Sequence, residues 1–190
     1  MFHLRSRTGP EWTEVVLGDF DAFLRDHASC ERKALATAMS LVGHYPDKVE
    51  LVDAMLEVAL EELDHFRCVW EIMRERGCKL ASDVKDPYVA GLRTQLRRGK
   101  DTYFLDRLLT SAIIEARSCE RLGLVAEALQ PGKLKDFYRE LTQCEARHHA
   151  LFVGLGERYH ARELVSQRLD GLLDFEAEML AALPVRVAVH

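Results

Sequence analysis

Apolar residues recur along this chain at intervals of three and four, and the pattern is interrupted chiefly around its five prolines, Pro10, Pro46, Pro87, Pro131 and Pro184. A residue every third or fourth position lands on one face of an α-helix, whereas a half-buried strand needs alternation at two, so the periodicity commits the chain to helices. Proline cannot continue a helix from within, so each one marks a start or a stop. The spacing predicts a first long helix over Gly18 to Gly43 and, after Tyr45-Pro46-Asp47, a second that stops at Gly77. The stretch from Cys78 to Lys100 loses the period apart from a short helix within Tyr88 to Arg98, and it is long enough to carry the chain back as a crossover. A third helix is expected over Asp101 to Gln130, a fourth from the Pro131-Gly132 turn until Gly154 and Gly156 weaken it, and a fifth over Ala161 to Leu183. The expectation is an all-α fold: a single domain over 1–190, with a four-helix bundle at about 18–156, a long crossover between helices two and three, and an additional C-terminal helix at about 161–183.

Composition narrows the classes of function. With 26 basic and 31 acidic residues the net charge is -5, so the chain is no wholesale nucleic-acid binder, and any RNA partner must be met by a local patch. The opening stretch to Glu14 has no apolar core of the kind a secretory signal needs, and no later run reaches membrane-spanning length, so a cytoplasmic protein is expected. Five cysteines without a C-x-x-C pair fit reduced thiols packed as small apolar groups. Neither a glycine-rich phosphate loop nor a G-x-S-x-G elbow occurs.

Chemistry enters where carboxylates stand in place of leucines. Glu31, Glu62, Glu115 and Glu145 each occupy a mid-helix position on an otherwise largely apolar or small stripe. Glu62 and Glu145 are followed three residues on by His65 and His148, which puts carboxylate and imidazole on adjacent turns of one face. Glu-x-x-His alone is a weak signal, because chance would supply such a match in a chain this rich in glutamate. Hairpin geometry strengthens it, since residues equally far from a tight turn lie side by side on antiparallel helices. Glu31 is 15 residues before Pro46 and Glu62 is 16 after it; Glu115 is 16 before Pro131 and Glu145 is 14 after it. Both hairpins therefore bring a glutamate level with a Glu-x-x-His, roughly 21 to 24 Å from the turn. The third match, Glu157 with His160, faces no glutamate at its level and is read as surface. Glu120 is the rival within the third helix, in Ser118-Cys119-Glu120-Arg121, which echoes Ser29-Cys30-Glu31-Arg32. Its level, 11 residues before Pro131, favours Glu115 instead.

Four ionised carboxylates and two neutral imidazoles balance two divalent cations, whereas without metal the cluster repels itself. One Glu from each of two helices with Glu-x-x-His from each of the other two is the di-iron or di-manganese arrangement of ferritin-like bundles. Oxygen-rich ligation suits iron or manganese better than zinc. His27, one turn before Glu31, is read as a group beside the metals or a core histidine rather than a ligand, and Tyr138, two turns before Glu145, as a hydrogen-bond donor near the metals or ordinary packing. Glu120 is read as a group beside the metals, and His149, which points about 100° away from His148, as a group beside the metals or at the surface.

The segments Asp26-His27-Ala28-Ser29-Cys30-Glu31-Arg32-Lys33-Ala34, Glu61-Glu62-Leu63-Asp64-His65-Phe66, Ile114-Glu115-Ala116-Arg117-Ser118-Cys119-Glu120-Arg121, Phe137-Tyr138 and Glu145-Ala146-Arg147-His148 occur in that order. In them the chain resembles the tRNA 2-methylthio-N6-isopentenyladenosine hydroxylases (MiaE), a ferritin-like di-iron family. The resemblance implies that Glu31, Glu62, His65, Glu115, Glu145 and His148 hold two iron ions. It also implies O2-dependent hydroxylation of the isopentenyl side chain of a modified adenosine in tRNA, with electrons from an external reductase or ferredoxin and no membrane partner. For the RNA, Arg93, Arg97, Arg98, Lys100 and Arg107 form one basic cluster, and Arg32, Lys33, Arg117 and Arg121 flank the ligand positions. Two other readings stand beside this one: a ferritin-like ferroxidase, peroxidase or other oxidase using the same site, and a non-enzymatic helical binding module.

Overall fold

A computed structural model describes residues 4–190. Seven α-helices follow in order: α1 Pro10–Gly18, α2 Phe20–His44, α3 Val49–Glu75, α4 Pro87–Arg93, α5 Lys100–Ala128, α6 Lys133–Tyr159 and α7 Arg162–Ala182. No strand occurs among the described residues. α1 was not anticipated: Pro10 sits at its first position, where the missing N–H costs nothing, and a nine-residue helix is too short for its apolar stripe to register as a period. α4 is shorter than the 88–98 expected, since the backbone turns off after Arg93. α6 instead runs through both of its glycines to Tyr159, because Gly156 is buried where a Cβ would touch Val165, Leu105 and Leu109.

Helix ends follow from their local chemistry. Asp19 caps α2, its carboxylate accepting from the Ala22 N–H at 3.0 Å, and Asp86 caps α4 by accepting from the Tyr88 N–H at 2.9 Å. At the end of α3, Gly77 takes φ 69°, the Cys78 N–H reaches the Met73 carbonyl at 2.8 Å, and the Gly77 N–H reaches the Arg74 carbonyl at 3.1 Å. This paired closure requires a left-handed residue, the conformation glycine adopts most easily.

The chain divides into two compact units. One comprises Glu14–Val84 and Val187–Val189 and is built on the α2–α3 hairpin. Phe23, Leu24, Leu41, Leu51, Met55 and Met73 are fully buried. The extended segment after α3 is tied to α2: Ser29 donates to Asp83 at 2.7 Å, the Lys33 ammonium to the Val84 carbonyl at 3.1 Å, and Arg32 pairs with Asp83. The Val189 N–H donates to the Asp26 carboxylate at 2.7 Å.

The other unit comprises, among the described residues, 4–13, Lys85–Arg186 and His190, and contains α4 to α7. Its apolar centre joins Tyr88 and Leu92 of α4, Leu105, Leu109 and Ile113 of α5, and Val165, Leu172 and Leu173 of α7. A buried carboxylate anchors the turn into α5: Asp106 accepts from the Arg97 backbone N–H at 2.8 Å, from the Arg97 guanidinium at 2.9 and 2.7 Å, and from Arg168 Nε at 2.8 Å. Burial works against ionisation of Asp106, but these hydrogen bonds outweigh it and hold the carboxyl below its ordinary range. The unfolded chain therefore takes up this proton at a higher pH than the native chain does. The stabilisation is complete above about pH 4 and is lost as pH falls through the lowered native value. Asp106→Asn is expected to lower stability by about 2 kcal/mol at neutral pH and to flatten the acid limb of the stability curve; urea titrations from pH 7 to pH 3 measure both.

Candidate metal centre

In the α2–α3 hairpin, Glu31 and Glu62 are buried and His65 is half-buried at one level. His65 Nδ1 lies 3.6 Å from Glu31 Oε2 and 3.5 Å from Glu62 Oε2, and a donor atom from each of the three lies within 4.8 Å of the others. His27 Nε2 lies 2.6 Å from Glu31 Oε1, one turn back on α2, in a fully buried position against the Phe23 ring. Burial opposes ionisation of Glu31, yet hydrogen bonds with His27 and His65 prevail and hold its carboxyl well below the usual carboxylate range.

The α5–α6 hairpin repeats the pattern. Glu115, Glu145 and His148 are buried, and they too offer one donor atom each within 4.8 Å of one another. His148 Nε2 stands 3.6 Å from the buried Cys144 thiol one turn earlier. His149 turns toward the neighbouring helix, where its Nδ1–H donates to the Ala112 carbonyl at 2.7 Å, one turn before Glu115. Burial pushes the His149 pKa down, so its neutral ring pins α6 to α5 at the level of the triad. Spacing does not reveal this partner of His149, because it is a backbone carbonyl and not a side chain.

Each hairpin thus presents two carboxylates and one imidazole from buried or half-buried positions. The donor set fits a divalent cation in charge, and its hard oxygens and borderline nitrogen suit iron or manganese, with no thiolate required. Glu120 points to a different task. Its carboxylate accepts from the Thr8 N–H at 2.9 Å and the Thr8 hydroxyl at 2.8 Å, and it pairs with Arg117. Tyr138 is fully buried on α6.

Arg117 and Arg121, placed by the sequence among the candidate phosphate contacts, are instead buried. Arg117 is fully buried and donates to Glu176 at 2.8 and 3.0 Å and to the Ser6 carbonyl at 3.0 Å. Glu176, buried in α7, also accepts from the Tyr88 hydroxyl at 2.9 Å. Burial, reinforced by Glu176, raises the Tyr88 pKa well above its ordinary value. Arg121 lies over the Trp12 ring at 5.1 Å, and burial, with the like charge of Arg117, lowers its pKa to about 10. The signal for this network was present in Glu176, which interrupts the apolar stripe of α7 between Leu172 and Leu180. In the basic cluster, Arg93, Arg98 and Lys100 are exposed, while the Arg97 guanidinium is committed to Asp106. Glu157 pairs with Arg162 at 3.5 Å. No helix among the described residues is long and apolar enough to cross a membrane.

Helical hairpins that bury paired glutamates and Glu-x-x-His characterise the ferritin-like carboxylate metalloproteins. The chain is similar to a solved structure of ferritin-like fold, Protein 43 with aldehyde deformylating oxygenase activity from Synechococcus: the TM-score is 0.94 at 35% identity, over 100% of this chain and 96% of that one. Residues 2–190 match the family described as tRNA-(MS[2]IO[6]A)-hydroxylase (MiaE), and the chain belongs to it. The tRNA 2-(methylsulfanyl)-N(6)-isopentenyladenosine(37) hydroxylase of Pseudomonas putida is 32% identical over 183 residues, covering 96% of this chain and 89% of the relative. The protein of the same name from Salmonella typhimurium is 32% identical over 131 residues, 69% of this chain and 48% of the relative.

Proposed function

We propose that this chain is an O2-dependent hydroxylase of the isopentenyl side chain of 2-methylthio-N6-isopentenyladenosine in tRNA, and that Glu31, Glu62, His65, Glu115, Glu145 and His148 together hold two iron ions. The observation that carries the reading is the match to the family over residues 2–190, a span that includes both buried triads. Iron bound there would supply the redox chemistry needed to oxidise an allylic C–H bond with O2, which side-chain acids and bases cannot do. The balance is one C–H, one O2, two electrons and two protons giving one C–OH and one water, so a separate protein must deliver the electrons.

The chain's own residues prepare the site. His27 and His65 hold the Glu31 carboxyl ionised at neutral pH and ready to bind a cation. His149 fixes the register of α6 against α5 through the Ala112 carbonyl, which keeps Glu145 and His148 level with Glu115. Burial keeps bulk water from the carboxylates, which strengthens their hold on a cation. For the RNA, the exposed Arg93, Arg98 and Lys100 supply phosphate contacts, and the Arg97–Asp106 pair holds the turn from which Arg98 and Lys100 project.

The test is to incubate the iron-loaded, chemically reduced protein with O2 and tRNA bearing the prenylated, methylthiolated adenosine, and to analyse the nucleosides by mass spectrometry. One added oxygen, labelled when 18O2 is supplied, is expected. Reversing the charge at Arg93, Arg98 and Lys100 should raise KM for tRNA and weaken its salt dependence while leaving iron content unchanged. The similarity to the Synechococcus protein favours one second reading, a di-iron oxygenase acting on an aldehyde. Turnover of a long-chain aldehyde with no change in the tRNA nucleosides would select it.

A further inference from the structure

α3 is apolar on both faces. Glu62 turns inward with Met55, Val58 and Val69, while Val49, Leu56, Leu60 and Leu63 are 66, 42, 62 and 50% exposed. Their spacing of seven, four and three residues keeps these four on one stripe, directly opposite the ligand face. A stripe of this kind left to water marks a contact surface. Acidic side chains line one flank of it: Glu50, Asp53, Glu57, Asp64 and Glu71 are exposed at helical spacing. The only Arg or Lys of α3 before Glu71 is Arg67, and it pairs with Asp64 at 2.5 Å.

The charge decides what can sit there. RNA and anionic lipid are repelled by the acidic flank. A second copy packed antiparallel about a two-fold axis would set that flank against its own equivalent, again carboxylate against carboxylate, and one packed parallel would set it against the opposite edge of α3, where Val52, Phe66 and Trp70 offer no cation. A partner whose apolar ridge is bordered by lysines or arginines satisfies both the stripe and the flank. Resting on the di-iron reading above, an electron donor is obligatory, because two electrons must reach the irons in each turnover, and a donor of that surface chemistry fits this face. Leu60 and Leu63 are two residues and one residue from Glu62 in sequence, across a helix about 10 Å in diameter, so a carrier seated on them is within tunnelling range of the ligands. We propose that the outer face of α3, centred on Leu56, Leu60 and Leu63, is the docking surface for a basic one-electron donor protein. Electrons pass there one at a time, and two of them return two ferric ions to the ferrous state.

Ferricytochrome c, a basic one-electron protein, serves as the probe, because electron transfer uses the same contact surface in either direction. The diferrous holoprotein is mixed anaerobically with it in stopped flow, so that each iron gives one electron to one haem. Its binding to the oxidised holoprotein is measured separately by calorimetry. At low salt, Leu56→Asn/Leu60→Asn and Asp53→Lys/Glu57→Lys are each expected to lower the second-order rate and the affinity by about tenfold. Added salt should slow the unaltered protein while barely affecting the charge-reversed one. A small uncharged mediator should oxidise all three equally, showing that the irons are intact. The proposal is overturned by unchanged rate and affinity in both variants. It is equally overturned if the variants lose tRNA affinity instead, or if they abolish a self-association seen by sedimentation. Failure of the chemically reduced protein to hydroxylate tRNA would remove the substrate reading and leave the docking result standing on its own.

Discussion

Glu115→Ala is expected to lower the iron bound after anaerobic reconstitution from the proposed two per chain to one or fewer, with hydroxylation falling by more than about 100-fold. Glu120→Ala, five residues away on the same helix, is expected to keep both. The contrast follows from where the two carboxylates point. Glu115 offers an oxygen within 4.8 Å of donor atoms from Glu145 and His148, whereas Glu120 is bonded to Thr8 and Arg117. Removing Glu115 leaves the α5–α6 triad with one carboxylate, too little charge to hold a divalent cation in a buried place. Elemental analysis gives the iron content, and nucleoside mass spectrometry gives the product. Two irons retained in Glu115→Ala would take this residue out of the centre, and iron lost only in Glu120→Ala would put its rival there.

Arg117→Met is the second large effect, on stability rather than on metal. The guanidinium is fully buried and neutralises Glu176, which is fully buried as well. Taking away one member strands the other charge in the interior, a loss of about 3 to 5 kcal/mol. For a chain of this size that is a fall in thermal midpoint of about 10 °C. Arg117→Met/Glu176→Met should recover much of it, because a buried pair replaced by apolar side chains of similar volume is close to neutral. Thermal unfolding followed by circular dichroism of the two variants measures the difference. A double variant as unstable as the single one would mean that the remaining Arg117 bonds, to Ser6 and Glu120, dominate.

These two residues also show where reading a sequence stops. Glu115 was chosen over Glu120 by counting residues back to Pro131, which works because helix rise is fixed and a short turn forces antiparallel neighbours to equal levels. Arg117 lies two positions from Glu115 and by spacing belongs with the candidate phosphate contacts; in the structure it is fully buried. Nothing local distinguishes a guanidinium that faces water from one that faces a glutamate 59 residues later. Similarly, the sequence groups Arg97 with the basic cluster, whereas its guanidinium is committed to Asp106, a carboxylate it shares with Arg168.

The periodicity and the prolines by themselves determined the all-helical fold, the long hairpins, the crossover and the C-terminal helix, since helix geometry depends on neighbours three and four residues away. They also determined which four glutamates and two histidines fall at matched levels. Tertiary structure alone decided which polar side chains beside them became partners: Glu120 for Thr8, His149 for the Ala112 carbonyl, Glu176 for Arg117 and Tyr88. It alone decided, too, that one apolar stripe of α3 remains in water. The reason is that a buried charge must find an opposite charge or a dipole wherever the packed chain brings one, and that meeting depends on contacts between distant segments which no local spacing encodes.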